Sequence, residues 1–157
     1  MLDISIFRAV VKNAPLVSID LCIIYNGQIL LGHRNNEPLK GTWFTPGGRI
    51  LKNEAYSDCL RRVARSELGL TGEDAKGARL MGIWDHFYSN SVFSETITTH
   101  YVNLPHYICI AKKPNLILDE QHTEMLWFDL SAVAHGNNFH KYMRAYASWL
   151  ISNGVLQ

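Results

Sequence analysis

Two adjacent glycines, Gly47 and Gly48, stand at the head of a spaced set of charged residues. Five residues separate Gly48 from Glu54, seven separate Glu54 from Arg62, and Glu67, Gly69 and Leu70 close the run. A glycine pair ahead of a helix leaves backbone groups free and lets a phosphate or a metal ion approach the main chain closely. Glu67 is the acid near the end of that run, and a carboxylate together with such backbone groups can hold a divalent cation.

The elements that must position these groups follow from periodicity. Ile4, Phe7, Val10 and Val11 recur at helical spacing, and Asn13 to Pro15 ends that helix. LVSIDLCIIY and QILLGHR read as strands joined by an Asn26-Gly27 turn, and residues 35–42 as loop. Asn53 is expected to cap a helix from Glu54 to about Leu68, with Cys59, Leu60, Val63 and Ala64 inward and Gly69 at its end. ARLMGIWDHFY, THYVNLPHYICIA and TEMLWFDL read as further strands. Ser131 is expected to cap a short helical turn, and a last helix to present Tyr142, Ala145, Tyr146 and Trp149 on one face. The order of helix, strands, helix, strands, helix predicts an α/β (α+β) sandwich with a mixed sheet between helices, as one domain over residues 1–157.

Composition narrows the class of protein. The 157 residues are 47% hydrophobic, enough for a core without disulfides or structural metal. Fifteen Lys plus Arg against fourteen Asp plus Glu argue against a nucleic-acid surface and point to a small-molecule partner. Cys22, Cys59 and Cys109 are scattered among apolar neighbours and read as buried thiols of a reducing compartment. The N-terminus has no secretory pattern and no apolar run approaches about 18 residues, so a cytoplasmic protein off the membrane is expected.

The spacing around Gly48 resembles the Nudix box, G-x5-E-x7-R-E-U-x-E-E-x-G-U, with U a bulky aliphatic residue. Val63 and Ser66 replace two of its acids, and Ala64 fills a bulky position. The box would converge three carboxylates at 63, 66 and 67 within one helical turn and draw in several divalent cations; with Glu67 alone on that face, the resemblance implies at most one Mg²⁺ or Mn²⁺, with other ligands recruited from elsewhere in the chain. The same two departures mark the GDP-mannose mannosyl hydrolases, an unusual Nudix branch. PLVSID, WF, PGGR, DHFY, TTHYV and DEQH resemble segments of that branch across residues 14–128. The resemblance implies a Nudix-type α/β/α sandwich and one Mg²⁺, or Mn²⁺, held by the Gly47 carbonyl, the Glu67 carboxylate and the Gln121 side chain. It also implies His122 as general base, with Arg34, Arg49 and Tyr101 on the diphosphate and Asp20 and His86 around the sugar. An imidazole, with an ordinary pKa of about 6.5, suits that base near neutrality. A homodimer is implied as well, and the N-terminal helix, with Ile4, Phe7 and Val11, is the candidate contributor to its interface.

The chemistry so implied is substitution at the sugar carbon. GDP leaves without needing a proton, so the acid of an ordinary inverting glycosidase is dispensable and one base suffices. GDP-mannose would give GDP and mannose with inversion. Two other readings stand beside it: a Nudix pyrophosphohydrolase that attacks phosphorus in a nucleoside diphosphate derivative, and a nucleotide-binding regulator without catalysis.

Overall fold

The computed structural model describes residues 2–71, 75–115 and 122–156; the side chains of residues 67, 68, 122 and 123 lie outside that description. Strands β1 (Leu16–Tyr25) and β2 (Gln28–Arg34) form a hairpin through Asn26 and Gly27. Both turn residues have positive φ, 47° and 74°, which is the geometry that matches the twist of paired strands. Outside β2 run β3 (Trp43–Phe44) and β8 (His122–Asp129), and β4 (Gly47–Arg49) pairs with β1. On its other side β1 lies parallel to β7 (Thr99–Cys109), which also carries β5 (Arg79–Leu80) and β6 (Trp84–Tyr88). The remaining pairings are antiparallel, so the sheet is mixed as expected.

Four helices flank the sheet among the described residues: α1 (Ile4–Asn13), α2 (Tyr56–Leu68), α3 (Leu130–His135) and α4 (Lys141–Ser152). Alternation along β1 decides which helix meets which residue. Ile19, Leu21 and Ile23 point to one face and pack with Cys59, Leu60, Val63 and Ala64 of α2. Cys22 and Ile24 point to the other and pack with Leu130 and Val133 of α3 and Met143, Tyr146, Ala147 and Leu150 of α4. Helix α1 sits at the end of β1, where Val11, Leu16 and Ile97 form a small third cluster.

Local expectations fail where a turn residue was asked to do a different job. Asn53 does not cap α2; it has φ 65° and sits in a turn, and the helix begins three residues later at Tyr56. Ser131 lies inside α3, with Asp129 at the cap. The single strand expected over 78–88 is split at Gly82, whose φ is 119°, into β5 and β6. The inward face of α4 is Met143, Tyr146, Ala147 and Leu150; of the expected face Tyr146 is fully inside, while Tyr142 and Trp149 pack half-buried at its edge. Cys22 and Cys59 are buried thiols, but Cys109 is exposed at the end of β7. On α1, Val11 is turned into the core and Phe7 packs edge-on against Phe93, which leaves Ile4 and Ile6 as its exposed apolar residues. No helix among the described residues is long and apolar enough to cross a membrane.

Candidate functional site

The face of β1 that carries Cys22 also carries Ser18 and Asp20, and register builds a polar surface around them. Asp20 lies opposite Gly47 and Ser18 opposite Arg49 across β1 and β4. Ser18 aligns with Asn103 and Leu16 with Tyr101 across β1 and β7, and Tyr101 faces His86 across β7 and β6. Above this surface is a cavity of about 250 Å³ whose wall includes Asp20, Arg34, Gly47, Arg49, His86 and Tyr101. Pockets that take whole small ligands run from about 300 Å³ upward, so this one suits part of a larger molecule.

Gly47 owes its residue type to this packing. Leu21 N–H donates to the Pro46 carbonyl and Ile50 N–H to that of Val17, both at 2.8 Å. Hydrogen-bonded and non-hydrogen-bonded pairs alternate along an antiparallel ladder, so Asp20 and Gly47 form a close, non-hydrogen-bonded pair. A Cβ on Gly47 would collide with the Asp20 carboxylate and stand 2.6 Å from the Ile19 carbonyl oxygen. The same alternation turns the Gly47 carbonyl away from β1, where it is free to meet a cation. A backbone oxygen of this kind fits a hard ion such as Mg²⁺. Among the described residues there is no group of three or more His, Cys, Asp or Glu able to hold one by side chains alone.

The turn after β4 is braced from α2. Arg62 donates from Nε to Glu54 Oε1 at 2.6 Å and from Nη2 to Glu54 Oε2 at 2.9 Å, and Nη2 also reaches the Arg49 carbonyl at 3.0 Å. Glu54 in turn accepts from Leu51 N–H at 2.9 Å. Bonding to Arg62 pulls the Glu54 carboxyl down to about 2, despite some opposing desolvation. The Glu–x7–Arg spacing thus fixes the backbone that presents Gly47, Gly48 and Arg49. The Arg49 guanidinium, so presented, lies 4.1 Å over the Phe7 ring of α1.

The cavity floor is a buried polar network. Tyr146 donates its hydroxyl hydrogen to Asp20 Oδ2 at 2.9 Å, and Asn103 donates to the same oxygen at 2.6 Å. With its own hydrogen committed, the Tyr146 oxygen accepts from His86 Nε2 at 3.2 Å. His86 Nδ1 is then an acceptor, approached by Asn103 Nδ2 at 3.2 Å and the Tyr88 hydroxyl at 3.3 Å. This assigns the Nε2–H tautomer. Burial pushes the Asp20 carboxyl up to about 6, against the two donors that pull it down. Burial, with a smaller push from His140, takes His86 down to about 3, so its ring is neutral across the physiological range. That ring stacks on Tyr142 at 3.8 Å. Burial also raises the Tyr101 phenol, partly offset by Arg34, and keeps it a donor.

A family profile for the NUDIX domain matches residues 15–150. This chain belongs to the Nudix family. It is 40% identical over 123 residues to the low-salt glycan biosynthesis protein Agl8 of Haloferax volcanii, an alignment covering 78% of this chain and 76% of that one. The fold matches a MutT NUDIX hydrolase from Burkholderia pseudomallei with a TM-score of 0.69 at 23% identity, covering 88% of this chain and 99% of that one. It also matches the NUDIX domain of Shewanella oneidensis NrtR complexed with ADP ribose, with a TM-score of 0.68 at 14% identity over 97% and 99% of the two chains. Nudix hydrolases generally use divalent ions such as Mg²⁺.

Within this Nudix fold, Asp20, Arg34, Gly47, Arg49, His86 and Tyr101 line one cavity. Gln121 and the side chains of Glu67 and His122 lie outside the described residues. The backbone of Glu67 is in the last turn of α2, and that of His122 starts β8 opposite Arg34, where a bulge between His33 and Arg34 shifts the register. Val63, at the box's second acid, is 1% exposed and packed in the α2-side core, whereas Ser66 is exposed. Sequence reasoning missed Asn103, Tyr146 and Tyr88. The signal for Asn103 was there: it follows Tyr101 by two in a buried strand, the spacing of one sheet face. Tyr146 read simply as part of an apolar helix face.

Proposed function

We propose that this Nudix protein hydrolyses GDP-mannose, or a related GDP-hexose, to GDP and free sugar by attack of water at sugar C1 with inversion. The observation that carries this reading is Asp20: a buried carboxylate, hydrogen-bonded to a tyrosine and an asparagine, in the same cavity as two guanidinium groups. Against a phosphate that carboxylate would be repulsive. Beside a sugar it accepts hydroxyl hydrogens and stabilises the positive charge that develops on the ring as the C1–oxygen bond breaks. Arg34, Arg49 and Tyr101 donate to the diphosphate and take up the negative charge of departing GDP. His122 removes the proton from the attacking water, and the neutral His86 ring orients the sugar.

The Gly47 carbonyl, Glu67 and Gln121 would hold one Mg²⁺, with Mn²⁺ as an alternative, and the bound ion would neutralise diphosphate charge. With Val63 in the core and Ser66 in place of an acid, the helix offers no cluster of carboxylates for several ions. The relative's name, a glycan biosynthesis protein, supports a sugar-bearing substrate. The chain is proposed to act as a cytoplasmic homodimer of single-domain subunits. Incubation with GDP-mannose and Mg²⁺, followed by early ³¹P and ¹H spectra, tests the activity. GDP with β-mannose is expected; GMP with mannose 1-phosphate would replace this reading with attack at phosphorus.

A further inference from the structure

Asn103 has no role in the activity as stated, yet its bonding leaves one atom unexplained. Both of its amide hydrogens are committed, one to Asp20 Oδ2 at 2.6 Å and one to His86 Nδ1 at 3.2 Å. The amide cannot be turned over, since that would set an oxygen 2.6 Å from a carboxylate oxygen and against an acceptor nitrogen. Asn103 Oδ1 is therefore the atom left without a partner: it is buried with no hydrogen-bond donor, on a residue that is 2% exposed and belongs to the cavity wall. A second buried atom of the cavity wall is in the same condition, the Arg34 Nε–H. Burying such atoms unpaired is costly, and native proteins rarely do so without a use for them.

We propose that Asn103 is a specificity-determining residue of the cavity, its side-chain oxygen accepting a hydrogen bond from one hydroxyl of the bound sugar. The inference rests on the GDP-hexose reading. The missing partner must be a donor, which excludes phosphate oxygens at neutral pH and leaves hydroxyl groups or the N–H groups of a base. The amide hydrogens of Asn103 decide between these, because they bind the two side chains assigned to the sugar, Asp20 and His86. One residue then does two things: it holds Asp20 and His86 in a fixed relation and reads a single hydroxyl beside them. The orphaned Arg34 Nε–H, a donor, suits the anionic end of the same ligand.

The test is a cycle between protein and substrate. Wild-type protein and the Asn103→Ala variant are assayed for kcat/KM on GDP-mannose and on analogues lacking the 2-, 3-, 4- or 6-hydroxyl. Loss of the paired hydroxyl leaves a buried acceptor unmet, so one analogue should fall about ten- to hundredfold in the wild type. In Asn103→Ala the same analogue should lose less than about threefold relative to GDP-mannose. A purely structural asparagine would lower every substrate together and keep the full penalty in the variant, which would overturn the proposal. Wild-type protein that treats all four analogues alike would overturn it too, whether or not the variant folds. So would a penalty that follows exchange of guanine for adenine instead of a hydroxyl. Wild-type protein that turns over no nucleoside diphosphate hexose would remove the activity reading itself and this inference with it.

Discussion

Ile19, Leu21 and Ile23 on one side of β1 and Ser18, Asp20 and Cys22 on the other are single residues apart, yet they live in different chemistries. The first three meet α2 in an apolar layer, where each side chain contributes roughly 1.5–3 kcal/mol by leaving water. Asp20 is buried too, and its carboxyl is pushed from 3.8 to about 6, which costs on the order of 3 kcal/mol at neutral pH. One or two residues of the α2 layer offset that cost. The two faces of one strand thus divide the labour: stability accumulates under α2, and the other face carries a polar network that stability alone would not select.

Changes at the pocket side should cost chemistry and spare the fold. His122→Gln should reduce turnover by about 10² to 10⁴ while leaving GDP binding and thermal unfolding near wild type. Wild-type activity should fall as acid protonates the imidazole, and a mutant that kept the same acidic limb would assign that limb to another group. Under α2 the reverse applies. Val63→Glu restores an acid of the Nudix box but places it in a packed apolar layer, so urea unfolding should show a loss of about 3 kcal/mol or more, with no gain in turnover. A stable and more active Val63→Glu protein would mean that this layer is not closed to chemistry.

Asp20→Asn sets the two demands against each other at a single residue. The Asp20 carboxyl is raised above its unfolded value, so its favourable contribution is present below about 3.8 and is lost as pH rises through about 6. The Asn variant should therefore be more stable than wild type at pH 8, by up to about 3 kcal/mol in urea unfolding, with the gap closing by pH 4, while activity falls more than tenfold. A variant that is no more stable at pH 8 would show that the network already compensates the buried charge. The smallest effect is expected at the brace: Glu54→Gln should cost about 1–2 kcal/mol at pH 7. Glu54 is depressed to about 2, so its contribution is present above the unfolded value near 4.5 and is lost as pH falls through 2; the wild-type advantage should disappear over that window.

How far the sequence disclosed these faces depended on where the information lay. The mostly apolar run LVSIDLCIIY is local, and it marked β1 to its ends, Leu16 and Tyr25. Spacing from Gly48 to Leu70 is also local, and it located α2 and the turn before it. Asn53 misled because asparagine serves both as a cap and as a left-handed turn residue, and the Glu54–Arg62 brace selects the second. The floor is another matter. Asp20, His86, Asn103 and Tyr146 come from β1, β6, β7 and α4, and no interval within the chain encodes their meeting. Resemblance supplied Asp20 and His86; Asn103 and Tyr146 required the sheet register and the placing of α4.

Attack at carbon and attack at phosphorus send solvent oxygen to different products. GDP-mannose and Mg²⁺ are turned over in ¹⁸O-enriched water and the products examined early, before mannose mutarotates and its C1 oxygen exchanges. Attack at carbon leaves GDP unlabelled, with heavy oxygen on the sugar and the β anomer dominant on extrapolation to zero time. Heavy oxygen in GDP, GMP or mannose 1-phosphate would contradict it.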